Sequence, residues 1–250
     1  MSNRYHRYVM DAERAMYQAP ELKAVICNAH MVKQEIIERF GVASDKIHVI
    51  YNAINTTQFV PVDEAERLQQ RQKLALPLNA SILIYVGSGF ERKGLAAAIQ
   101  AIAGTNRYLV VVGKDKAEKQ YRALASELGC SDRVIFAGMQ ADTRPWYQAA
   151  DGLLLPTLYD PFPNVILEAM ACGLPVITST TCGGSEFIQA GENGYVCDAL
   201  DIIALRDAIM ALPEQAIGSD MAIHARERVM DSSPQRLSQQ LISLYQQILD

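Results

Sequence analysis

The chain has 250 residues, half of them apolar and a fifth charged; this excludes a disordered tail and supplies a packed core. Its net charge of −5 argues against nucleic acid as the default partner. Five cysteines (Cys27, Cys130, Cys172, Cys182, Cys197) without a CxxC pair read as reduced thiols of a cytoplasmic protein, and the four histidines carry no metal-ligand spacing.

The opening stretch "MSNRYHRYVMDAERAMYQ" has no apolar signal-peptide core. No segment reaches the roughly eighteen apolar residues of a membrane helix. Arg4, Arg7 and Arg14 gather beside His6. A solvated helix face accounts for them; peripheral contact with the anionic inner face of a membrane is the second reading.

Short β-branched runs then alternate with helical patterns. In order the runs are "KAVICNA" (23–29), "KIHVIY" (46–51), "SILIYVG" (81–87), "RYLVVVG" (107–113), "RVIFAG" (133–138), "DGLLLP" (151–156), "LPVITS" (174–179) and "GYVC" (194–197). Most are apolar throughout, the pattern of strands covered on both faces of a parallel sheet. Between them, segments such as "GLAAAIQAIAG" and "AEKQYRALASELG" read as helices closed by glycine. The rhythm predicts a doubly wound α/β fold.

A boundary is expected at residues 52–61, "NAINTTQFVP", which is polar and turn-rich. What precedes it is only helix, strand, helix, strand, too little to close a core of its own. Residues 59–232 form a complete unit. The last helix, 234–249, carries Leu237, Leu241, Leu244, Tyr245 and Ile248 on one face and is expected to bury that stripe against the N-terminal part.

Ligands of open α/β sheets bind beyond the carboxyl ends of the strands. The loops in that position are "GSGFERKG" (87–94), "GKDK" (113–116), "GMQAD" (138–142), "PTLYDPFPN" (156–164) and "TCGGSE" (181–186). In the first, Arg92 and Lys93 stand at a helix start, where adjacent cations and free N–H groups can clamp a phosphate; an exposed Arg-Lys pair is the alternative. The loop is neither a P-loop nor a dinucleotide fingerprint, which weighs against a nicotinamide oxidoreductase. In "DPFPNVILEAMACG" a helix is expected to start near Asn164, a capping residue, after two prolines. Its tip carries partial positive charge and unpaired N–H donors. Asp160 precedes it and Glu168 sits about a turn inside, so both carboxylates can flank one helix start. Vicinal hydroxyls would suit such acids; a turn residue and a helix-start charge are the plain alternatives.

"DPFPNVILEAMACGLPVITS" resembles the donor-site signature of the retaining glycosyltransferases of family 4, which have the GT-B fold. "GSGFERKGL", "GGSEFIQAGENGYVC" and "NAINTTQF" resemble the family's diphosphate loop, following turn and interdomain crossing. The finer flavour is of lipopolysaccharide-core glucosyltransferases. The resemblance implies transfer of a sugar from a nucleotide-sugar, a UDP-sugar by preference, to a hydroxyl of a glycan or glycolipid, with retention. It implies no metal and no cofactor beyond that co-substrate. By position, Arg92 and Lys93 would hold the diphosphate, Gly87 would belong to their loop, Asp160 would touch the sugar, and Glu168 would hold the ribose. Backbone near Phe162, Asn164 and Val165 would meet sugar and phosphates. Gly138 and Met139 would lie against the base, and Glu186 is an acid of the site with a less defined role.

Two departures bear on the sugar: Asp160 stands where the family has Glu, and Pro163 where it has glycine. A third is larger. Residues 1–58 correspond to only the end of the acceptor domain, so a truncated, non-catalytic nucleotide-sugar-binding module is the rival reading. An exposed apolar face along 1–40 and 234–249 is then expected.

Overall fold

A computed structural model describes residues 4–249. The eight expected strands are all present and divide into two parallel sheets. β1 (Val25–Cys27) and β2 (Ile47–Val49) pair with each other, with α2 (His30–Phe40) between them and α1 (Arg4–Tyr17) ahead. Cys27, Ile36, Val42 and Ile47 form a small core beneath them.

β3 (Ile82–Val86), β4 (Tyr108–Val112), β5 (Val134–Gly138), β6 (Gly152–Leu155), β7 (Val176–Ser179) and β8 (Gly194–Cys197) make the larger sheet, in the order β5-β4-β3-β6-β7-β8. Every residue of β3, β6 and β7 is buried. Their unbroken apolar runs therefore reflect cover on both faces. The helices that supply it are α3 (Glu64–Lys73), α4 (Leu95–Ala103), α5 (Glu118–Glu127), α6 (Arg144–Ala149), α7 (Asn164–Ala171), α8 (Ile202–Ala211) and α9 (Asp220–Val229). α4 packs on α5 and α8, while α3 packs on α6 and α7 on α9. A parallel sheet flanked in this way is the doubly wound α/β arrangement that the sequence predicts.

The strand order reverses at β3. The chain leaves it toward β4 on one side and later returns at β6 on the other. A crevice opens between loops that diverge from such a point. Here those loops are 87–94 and 156–163.

Asp151, at the start of β6, is fully buried and accepts from Arg67 Nη1 and Arg71 Nη2 of α3, both at 2.7 Å. It also accepts the N–H groups of Ile82 (2.9 Å) and Ala216 (3.3 Å). One carboxylate thus ties the segment after the crossing to the foot of the sheet.

α10 (Pro234–Leu249) runs beside β2, with Leu244 buried and Leu237, Leu241 and Ile248 half-buried. Tyr245 is 55% exposed and departs from the expected stripe. It lies one residue, about 100° around the helix, from Leu244, beyond the edge of the face that meets β2. The expected apolar surface is present: Tyr5, Tyr8, Met16, Ile26, Ile242 and Leu249 are exposed as well. Residues 1–3 of that expected face lie outside the described residues, as does residue 250 of the last segment. No described helix is long and apolar enough to cross a membrane.

Candidate active site

The loop after β3 is a tight turn running into α4. Lys93 N–H donates to Gly89 O, Gly94 N–H to Glu91 O and Leu95 N–H to Phe90 O, at 2.9–3.1 Å. Phe90 N–H donates to Asp115 Oδ2 at 3.0 Å. The turn and Asp115 take up part of the expected supply of N–H groups beside Arg92 and Lys93, while those of Arg92, Ala96 and Ala97 at the start of α4 find no acceptor among the described residues. The side chains of Arg92 and Lys93 and these N–H groups are left to meet an anion. Gly94 is glycine for a reason of space, since a Cβ there would stand 1.8 Å from Pro156 O, with φ at +73°.

This contact brings the loop after β6 against the loop after β3. Leu158 N–H and Thr157 Oγ1 both donate to Arg92 O, at 2.8 and 3.0 Å. Arg92 Nη1 donates to Tyr159 O at 2.7 Å and to Asp160 Oδ2 at 3.1 Å. Lys93 Nζ lies 3.6 Å from the same Oδ2. Both cations thus converge on one carboxylate oxygen. Asp160 itself is pinned by its backbone: its N–H donates to Thr181 O and its carbonyl accepts from Gly183 N–H. Lys93 is well covered and lies across Gly87, where an added Cβ would stand 2.5 Å from Lys93 Cδ. Arg92 is half exposed.

α7 begins at Asn164, but Pro163 is its N-cap and no side chain caps it. The capping role expected of Asn164 is corrected. Its Oδ1 instead accepts from Asn52 Nδ2 at 2.6 Å. Ile166 N–H turns back to Pro163 O. The N–H groups of Asn164 and Val165 find no acceptor among the described residues, so the tip keeps its positive end.

Glu168, on the next turn, accepts the Tyr147 hydroxyl at 2.8 Å. Burial pushes its carboxyl above the ordinary carboxylate range, while the Tyr147 hydrogen bond and the Lys93 charge pull it down. The ionised form is disfavoured in the folded chain. That penalty is present above the raised pKa and fades as the pH falls toward the unfolded value. Glu168→Gln is thus expected to raise the melting temperature at pH 8 and to raise it less at pH 5. A larger gain at pH 5 would contradict this origin.

The remaining expected residues are placed as follows. Gly87, Gly113 and Gly138 step across the carboxyl ends of β3, β4 and β5; Gly87 N–H donates to Val112 O and Gly113 N–H to Gly138 O. Met139, just beyond, is 76% exposed. Phe162 is buried in an aromatic cluster with Tyr51 and Phe187. Val165 packs on the core at half burial. Glu186 is not among the groups gathered at Lys93. Its Oε1 accepts from Met31 N–H at 3.0 Å and its Oε2 from Tyr51 Oη at 2.7 Å, which fastens the 3-10 turn Gly183–Phe187 to α2.

Sequence reasoning missed Tyr147, Asn52, Tyr51 and the loop-holding role of Asp115. Asp115 and Asn52 lie inside stretches singled out from the sequence, and an acid in the short loop after a strand was a usable signal. For Tyr147 none existed, because its partner arises only when α6 packs near α7.

Comparison with known proteins gives the family and the fold. The family model described as "Glycosyl transferases group 1" matches residues 66–228, more than half of the chain, and "Glycosyltransferase Family 4" matches residues 1–58. The lipopolysaccharide core biosynthesis glycosyltransferase LpsE of Rhizobium meliloti is 34% identical over 186 residues, covering 74% of this chain and 52% of LpsE. The crystal structure of WaaG, a glycosyltransferase involved in lipopolysaccharide biosynthesis, superposes with a TM-score of 0.82 at 25% identity, covering 97% of this chain and 68% of WaaG. Anabaena HepE in complex with UDP and glucose shares the fold, with a TM-score of 0.75 at 22% identity over 90% of this chain and 63% of HepE. The chain spans about half the length of the curated relatives it matches. It belongs to the glycosyl transferases group 1 family.

Proposed function

We propose that this chain is the donor-binding part of a retaining hexosyltransferase that takes a sugar from a UDP-sugar and delivers it to a hydroxyl of a glycan or glycolipid. One observation carries the reading: Arg92 and Lys93 converge on a single anionic oxygen, Asp160 Oδ2, at the end of the sheet where the strand order reverses. A pyrophosphate offers oxygens of the same kind to the same two cations. The Anabaena relative, whose structure holds UDP and glucose, supports the choice of nucleotide.

In the reaction the bond from the anomeric carbon to the pyrophosphate oxygen breaks, and the electron pair stays on the pyrophosphate. Arg92, Lys93 and the open tip of α7 receive that charge without rearranging, which is how fixed donors lower a barrier. The acceptor oxygen bonds the anomeric carbon from the leaving-group face and gives its proton to the departing phosphate. Asp160, held rigid by its own backbone bonds, is the group assigned to the donor sugar, and Glu168 to the ribose. Asp160, one methylene shorter than Glu, and Pro163, without an N–H, act on the choice of sugar.

The second reading, a nucleotide-sugar-binding module without turnover, is favoured by the apolar surface left exposed on α1, β1 and α10. A thermal-shift screen of nucleotide-sugars, with an activity assay on the same preparation, tests both. A ligand that binds the native state raises the melting temperature. Binding with turnover supports transfer, binding without turnover supports the module, and no shift with any nucleotide-sugar contradicts both.

A further inference from the structure

Arg92 makes its two side-chain bonds to consecutive residues, Tyr159 O and Asp160 Oδ2. The Asp160 end of that pair is fixed by the strand-like bonds to Thr181 and Gly183. The Tyr159 end is fixed differently. Its hydroxyl donates to Glu35 Oε2 of α2 at 2.8 Å, a contact 124 positions away in sequence. Burial and this bond both raise the Tyr159 pKa, and the nearby Arg39 charge lowers it. α2 is held in turn by Glu186, which accepts from Met31 N–H and from the Tyr51 hydroxyl. The crossing strand adds Asn52 to Asn164, at the tip of α7. Side-chain bridges thus run from the segment before the crossing to residues 159 and 186, and from the crossing itself to residue 164.

We infer that Tyr159 is a positioning residue: its hydroxyl, anchored on Glu35, holds the 159–160 backbone where it aims the Arg92 guanidinium at the anion site. The segment carrying α2 is thereby part of the donor site's geometry, although none of its residues touches the anion. The inference deepens the proposed function in one respect and rests on it for the identity of the anion; the positioning itself is independent of any ligand. A half-exposed guanidinium with one acceptor carbonyl released samples more rotamers, and losing one solvent-exposed hydrogen bond is worth about a factor of five in an equilibrium.

The test uses the whole chain. Side-chain ¹⁵N NMR of arginine, with the Arg92 Nε signal assigned from R92K, reports the order of that guanidinium. Tyr159→Phe and Glu35→Ala are each expected to loosen the Arg92 signal without lowering the melting temperature by more than a few degrees, whereas Glu35→Gln, which keeps an acceptor, retains it. An Arg92 signal equally ordered in wild type and Tyr159→Phe overturns the inference, whether or not UDP binds. Calorimetry with UDP on the same proteins adds the functional readout. Tyr159→Phe weakens UDP about five-fold and has no further effect in an R92A background, because the two share one interaction. Failure of wild type to bind UDP, with Arg92 still loosened by Tyr159→Phe, would count against the donor-site reading alone.

Discussion

Asp151→Ala is expected to destabilise the fold by about 3–5 kcal/mol, the range for removing one partner of a buried ion pair. Asp151 serves two cations. Arg67 and Arg71 each have only 1% of their side-chain surface exposed. Burial already lowers the Arg71 pKa, and the neighbouring Asp151 charge is the first influence that opposes this. Arg71 would keep its bonds to Leu78 O and Ala80 O, so it would stay inside, charged and uncompensated. Typical domains have about 5–15 kcal/mol in all, so the variant would be marginal at best. Asp151→Asn, which keeps the shape and one acceptor, should fall between. Urea unfolding monitored by circular dichroism measures both, and a loss below about 1 kcal/mol for the alanine variant would mean that the pair behaves as an exposed one.

Lys93→Ala should weaken UDP by about a hundred-fold, in line with the few kcal/mol that single fixed donors contribute to a developing or resident charge. Lys93 is covered, so its attraction for an anion is less screened by water than that of Arg92. It also lies between two carboxylates: near Asp160 Oδ2 at 3.6 Å and close enough to Glu168 to lower its pKa. Its removal leaves Asp160 with Arg92 alone and raises the Glu168 carboxyl further. The melting temperature should change little, because Asp160 keeps its backbone bonds. Calorimetry gives the affinity; a variant that binds UDP as wild type does would remove Lys93 from the site.

The sheet was legible because its strands are covered on both faces. Unbroken runs such as "ILIYV" and "GLLL" need no partner information to be read as buried strands. The long motif around Asp160 and Glu168 was legible as well, since helix, prolines and acids lie within one stretch. Strand order was not. The neighbouring of loops 87–94 and 156–163 comes from β6 pairing with β3, and no local pattern encodes that pairing. Which N–H groups beside Lys93 stay free was hidden for a similar reason: the Phe90 N–H is taken by Asp115 in the next loop. Asn164 has the composition of a cap, yet Asn52, 112 positions earlier, takes its side chain. Glu186 has the position of a site acid but is used by α2. In each case the residue type was read correctly and its partner was set by tertiary packing.

The central claim is that the phosphates, held by Arg92, Lys93 and the α7 tip, carry the binding. Titrating wild-type protein with UDP and with uridine under identical salt tests it most directly. UDP should bind at least a hundred-fold more tightly than uridine, a difference of about 3 kcal/mol, and the advantage should shrink as salt rises. Equal affinity for the two, or binding of neither, would contradict it.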